Sequence, residues 1–163
     1  MDTTRLRHTV ALPGNSAGEG VDAPFIQLAQ LELGIQFPPD YLQFLQEFGR
    51  VIVGPYHIDG LGGDMLEVVR TTLLQRQLHR PYLRFLLIPV MEEDDSLTYC
   101  IDARRAHEGV YPVVCWDANL AEHQPLMVVA PDFATWLDGL IDTWQAASQD
   151  EPWRYRTRRI IGS

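Results

Sequence analysis

Residues 31–63 read LELGIQFPPDYLQFLQEFGRVIVGPYHIDGLGG, and the placement of glycine and proline within them decides the fold. Gly34 can close one helix in a left-handed conformation, Pro39 suits the first turn of the next, and Gly49 can close that second helix. Between those signals Tyr41, Leu42, Phe44, Leu45 and Phe48 recur at helical spacing and form one apolar face. The stretch is expected to be a short amphipathic helix lying on a sheet, then a short strand and a turn at Asp59 and Gly60.

Working outward, Phe25, Leu28 and Leu31 begin a helical stripe just after Pro24. Before it, Pro13 and the glycine and serine residues between Gly14 and Gly20 suggest a mobile arm over residues 1–23. On the other side, residues 65–78 read as a helix with Met65, Val68, Val69 and Thr72 on one side, ended by Pro81. Four short runs rich in branched and aromatic residues follow, at 85–90, 97–102, 110–116 and 126–129, separated by turn chemistry. Pro131 opens a last helix in which Phe133, Trp136, Leu137, Leu140, Ile141 and Trp144 repeat at three- and four-residue intervals. The expected fold class is α+β: a single domain over residues 24–148, with a mainly antiparallel sheet packed by several helices, followed by a basic tail at 149–163.

A chain of 163 residues with 46% hydrophobic content fits one domain with one sizeable core. No apolar run approaches the ~20 residues needed to span a bilayer, and the first twenty residues lack the apolar stretch of a signal peptide. A cytoplasmic protein without a membrane partner is expected. Cys100 and Cys115 are too few for a disulfide scaffold and are read as free thiols, although the two could meet across a hairpin. The net charge of −9 is uneven: residues 1–150 carry 21 acidic and nine basic side chains, whereas 151–163 carry four arginines and Glu151. Such an acidic body repels phosphate and attracts basic partners, so no direct nucleic-acid binding is expected.

Several chemistries are excluded outright. The chain has no lysine, which removes the P-loop, Schiff-base and kinase lysines. Gly60, Gly62 and Gly63 miss the dinucleotide fingerprint because Met65 holds the third glycine position. The five histidines lack paired metal spacing, no CxxC motif or serine elbow occurs, and no metal, cofactor or catalytic residue is assigned. Carboxylate pairs such as Asp59 with Asp64 have no defined pocket partner for acid and base work. The strongest charge feature is Glu92, Glu93, Asp94 and Asp95, expected at an outward hairpin tip. It lacks the alternating ligands and glycine of a calcium loop.

The order of these segments resembles the SUKH superfamily. The resemblance rests on ELGI, PPDYLQFLQEFG, the strand and IDG turn, DMLEVVRTTLLQR, FLLIPV, LTYCID, VVCWD and DFATWLDGLIDTW, together covering residues 24–146. Two departures are the second proline, Pro39, and RVIV after Gly49 in place of a second glycine often seen in the family.

The resemblance implies an immunity protein that binds a cognate secreted bacterial toxin, often a nuclease, encoded by a neighbouring gene, and neutralises it stoichiometrically without turnover. The expected contact set is Glu92, Glu93, Asp94 and Asp95 with Asp59, Asp64 and Glu67, and Tyr56 as an aromatic anchor. An intracellular adaptor or regulatory module is the rival expectation, with a small-ligand-binding domain third. The four tryptophans fit a core or a homodimer equally, so the oligomeric state stays open.

Overall fold

The computed structural model describes residues 1–62, 67–77, 83–93, 96–120 and 123–150. In chain order the elements are α1 (Thr3–Val10), β1 (Ser16–Ala17), α2 (Ala23–Leu33), α3 (Pro39–Phe48), β2 (Val51–Val53), β3 (Tyr56–Ile58), α4 (Glu67–Gln77), β4 (Leu87–Glu92) and β5 (Leu97–Asp102). A 3₁₀ turn at Ala103–Arg105 precedes β6 (Val113–Asp117), β7 (Met127–Ala130) and α5 (Phe133–Asp150). Every strand pairing is antiparallel, in one sheet ordered β1-β2-β3 and another ordered β4-β5-β6-β7. The Asp59 N–H donates to the Val90 carbonyl across 2.7 Å and ties the two sheets at the β3–β4 seam. The fold is an α+β single domain.

The helix boundaries follow the punctuation. Gly34 closes α2 at φ 67°, and its N–H reaches back to the last turn. Pro39 opens α3, and Gly49 closes it at φ 66°. Glycine is required at the latter site twice over, because a Cβ there would lie 2.3 Å from the Glu19 carbonyl oxygen. Asp132 caps α5 by accepting from the Thr135 N–H at 2.7 Å.

Burial of Tyr41, Phe44, Leu45 and Phe48 points α3 into the core. The Tyr41 ring packs edge-on to Phe133 of α5, with centroids 5.0 Å apart, and lies parallel to Phe44 at 5.8 Å. Asp40 joins the same two helices: one carboxylate oxygen accepts from the Tyr41 N–H and the other from Ala134. The four-stranded sheet is apolar on both faces. Ile88, Ile101 and Val113 face the large core, whereas Leu87, Cys100, Val114 and Trp116 build a smaller cluster with Leu83 and Leu126. Gln124 closes that second face by bonding both backbone groups of Asp117.

Two expectations change. Residues 1–23 are not a mobile arm but contribute α1 and β1. Leu6 and Thr9 are buried, Arg5 bonds the Asp142 carboxylate, Arg7 pairs with Glu47 at 2.6 Å, and Asn15 accepts from the Gly54 N–H at 2.8 Å. Two of the segment's glycines mark tight packing: a Cβ on Gly18 would sit 3.1 Å from the Phe48 carbonyl oxygen, and one on Gly20 would sit 2.0 Å from the Gln46 carbonyl oxygen. Second, α2 buries Ile26, Ala29 and Leu33, and the stripe of Phe25, Leu28 and Leu31 faces outward. The helix is apolar on both sides, so periodicity finds it without choosing its inner face. The reading of Cys100 and Cys115 as thiols outside a disulfide holds: Cys100 stands opposite Val114 and Cys115 opposite Tyr99, which puts the two on opposite faces of the sheet, and neither is in a disulfide. The basic tail beyond residue 150 lies outside the described residues.

Candidate functional site

Alternation along β2 and β3 sorts their side chains. Val51, Val53 and Ile58 enter the core, while Ile52 and His57, paired across the ladder, stand on the opposite face. On α4, Val68, Val69 and Thr72 are buried, leaving Arg70, Thr71 and Leu74 on the other side. These two faces bound an open groove of about 790 Å³. Ser16, Ala17 and Gly18 form its rim, with Arg50 beside them. A Cβ on Gly18 would lie 3.1 Å from Arg50 Cγ, so the glycine lets the arginine stem lie across the β1 edge.

The groove is polar and mixed in charge. Arg50 and Asp59 have contacts of their own within the fold. Among the described residues, Arg70 has no carboxylate partner and His57 no hydrogen-bond partner. Ile52 and Leu74 supply apolar ground between the charged groups. The described lining combines charged, polar and apolar groups in an open groove, which suits binding by charge and shape.

The expected contact residues scatter. Tyr56 is half-buried and packs against the large core instead of standing out as an anchor, because position 56 shares the inward face of β3 with Ile58. Asp59 is half-buried and lines the groove, its backbone fixed by the Val90 bond and by the Tyr41 hydroxyl, which donates to its carbonyl at 3.2 Å. Glu92 and Glu93 are exposed at the end of β4. Gln75 of α4 donates to Glu92 at 2.7 Å, and the Tyr99 hydroxyl donates to Glu93 at 2.7 Å. Burial and then that bond to Glu93 push the Tyr99 phenol upward, so it remains a donor. Asp64, Asp94 and Asp95 lie outside the described residues, and Glu67 begins α4.

Arg50, His57 and Arg70 are the site residues that sequence reasoning missed. A signal existed: His57 breaks an otherwise apolar alternation in β3, and Arg70 and Leu74 are spaced i, i+4 opposite the apolar face of α4. Nothing local says that the two faces meet.

A second surface stands apart from the groove. Phe25, Leu28 and Leu31 are 56%, 44% and 78% exposed along α2, and Phe85, 62% exposed, lies beside Gly34 at the end of the same helix. Arg76 holds Phe85 there, with its guanidinium carbon 4.6 Å from the ring centroid and one nitrogen donating to the Phe85 carbonyl at 2.8 Å.

Among the described residues no helix is long and apolar enough to cross a membrane. No curated protein matches the chain. The SUKH_5 family model, described as SMI1-KNR4 cell-wall, matches residues 9–145, a span that takes in β1 and the groove-forming strands as well as all of α2–α4. With the order of helices and antiparallel strands this match covers, the chain belongs to the SUKH superfamily.

Proposed function

We propose that this protein is an immunity factor that binds a cognate bacterial toxin stoichiometrically and blocks it without any turnover of its own. The observation that carries this reading is the apolar stripe Phe25, Leu28 and Leu31, exposed along α2 with Phe85 at its end. Large apolar side chains aligned on one exposed face are costly to leave in water, and a rim of polar residues around them is the usual composition of a protein-binding surface. The acidic body adds long-range attraction for a basic partner, such as a nuclease built to grip phosphates.

The test is survival of cells expressing the C-terminal domain of the neighbouring gene's product, with and without this protein, followed by co-purification. Rescue and a stable complex are expected, and Leu31→Glu should abolish both while leaving the thermal midpoint unchanged. A toxic neighbour that is neither rescued nor bound would overturn the pairing and favour a regulatory adaptor, which the cell-wall description of the matched family also suits.

A further inference from the structure

The acidic surface accounts for attraction to a basic partner, yet the groove beside β1–β3 has the opposite character. Two of the nine arginines in residues 1–150, Arg50 and Arg70, line it with His57, and among the described lining residues Asp59 is the one carboxylate. A concentration of donors in a molecule of net charge −9 selects for a ligand that is anionic locally but not a polyanion, because a long phosphate backbone meets repulsion from the rest of the surface. Ile52 and Leu74 alternate with the charged groups, and β1 has a neighbour on one side only, leaving its outer edge along the groove rim. An extended peptide satisfies all three features: main-chain groups for a strand edge, apolar side chains for Ile52 and Leu74, and a carboxylate for a guanidinium.

We propose that this groove binds an extended, carboxylate-bearing segment of the protein partner, with Arg70 as the principal carboxylate-binding residue and Arg50 and His57 as supporting donors. This rests on the reading of the protein as a binder of another protein, and it deepens it by naming the chemistry of the bound segment. A guanidinium has five N–H donors, so Arg50 can keep its contacts within the fold and still present donors to the groove. Arg70 projects from an exposed helical face, and removing it leaves no buried group unpaired.

The measurement is a nuclear magnetic resonance titration of the full ¹⁵N-labelled chain with a blocked tetrapeptide of alternating leucine and glutamate. Parallel titrations use its glutamine counterpart and inorganic phosphate. Saturating shifts are expected at the amides of Ile52, His57, Arg70 and Thr71, with the glutamine peptide binding about tenfold more weakly, the scale of one charge-assisted hydrogen bond. Arg70→Glu should remove the glutamate preference, and His57→Ala should weaken binding without removing that preference. Absence of shifts, equal binding of both peptides, or shifts confined to α2 would overturn the proposal. Phosphate displacing the glutamate peptide at equal concentration would overturn it in favour of a phosphate ligand. Because the probe is a synthetic peptide, the outcome is independent of whether the cellular partner is a toxin, which rescue and co-purification decide separately.

Discussion

At the scale of single residues, the fold depends on places where a side chain has no room. Gly60 is the most constrained: a Cβ there would lie 1.7 Å from the Gly49 carbonyl oxygen, the atom that accepts from the Leu61 N–H. Gly60→Ala must push that backbone apart, and we expect it to destabilise the protein by about 2–4 kcal/mol, read as a lower urea midpoint with unchanged slope. The cysteines give a second residue-scale prediction. Burial, reinforced by the negative potential of Cys115, Asp102 and Glu92, pushes the Cys100 thiol well above its ordinary value, and it is fully enclosed, whereas Cys115 is half-buried. At neutral pH a thiol reagent should label Cys115 first, and Cys100 only at the rate of global unfolding. Equal labelling of both in the native protein would contradict the register of β5 and β6.

At the scale of elements, two contacts join helices distant in the chain. The α3–α5 seam is aromatic, with Phe133 wedged 5.0 Å from Tyr41 and 5.1 Å from Phe44. Phe133→Ala should cost about 3–5 kcal/mol, since it opens a cavity at the centre of the core; calorimetry or chemical denaturation measures it. The α1–α3 seam is electrostatic. The hydrogen bond from Arg7 holds the Glu47 carboxyl below its ordinary value despite a small opposing effect of burial, with Gln43 and Thr3 assisting. A carboxyl depressed in the folded state contributes stability above its unfolded value and loses it as pH falls through the folded one. Arg7→Ala should therefore lower stability at neutral pH and leave it nearly unchanged at the acid end, which flattens the acid limb of stability against pH. An unaltered limb would show that the pair is too well solvated to matter.

At the scale of the molecule, the surface divides into three chemistries: an acidic body, an apolar stripe on α2 and a groove in which arginines are concentrated. Long-range charge governs the encounter with a partner and desolvated contacts govern residence, so the three make separable contributions. Replacing Glu92 through Asp95 with serine should slow association with the proposed toxin partner and reduce its dependence on salt, while changing dissociation little. Stopped-flow mixing at two ionic strengths measures both. If rate and salt dependence were unaltered, the acidic run would have no part in steering.

The sequence by itself determined most elements from α2 onward and the family, because glycine, proline and apolar period are local signals. Gly34, Pro39 and Gly49 end or begin helices as read, and the run at 97–102 is β5 with the same bounds. Orientation was legible only where an element is apolar on one side: α3 was read correctly, whereas α2 has two apolar faces and its inner one is Ile26, Ala29 and Leu33. The order of residues 1–23 was also hidden, since Gly18 and Gly20 fit against Arg50 and Gln46, more than twenty-five residues along the chain. The expected contact set was drawn from carboxylates and one tyrosine, which sequence displays plainly. Its members Tyr56 and Glu93 went to different surroundings, one against the core and one to the solvent. The groove was decided by tertiary structure alone. Arg50, just before β2, His57 of β3 and Arg70 of α4 share one cavity only because the core packing of Val51, Val53, Ile58, Val68 and Val69 turns their outward neighbours toward each other.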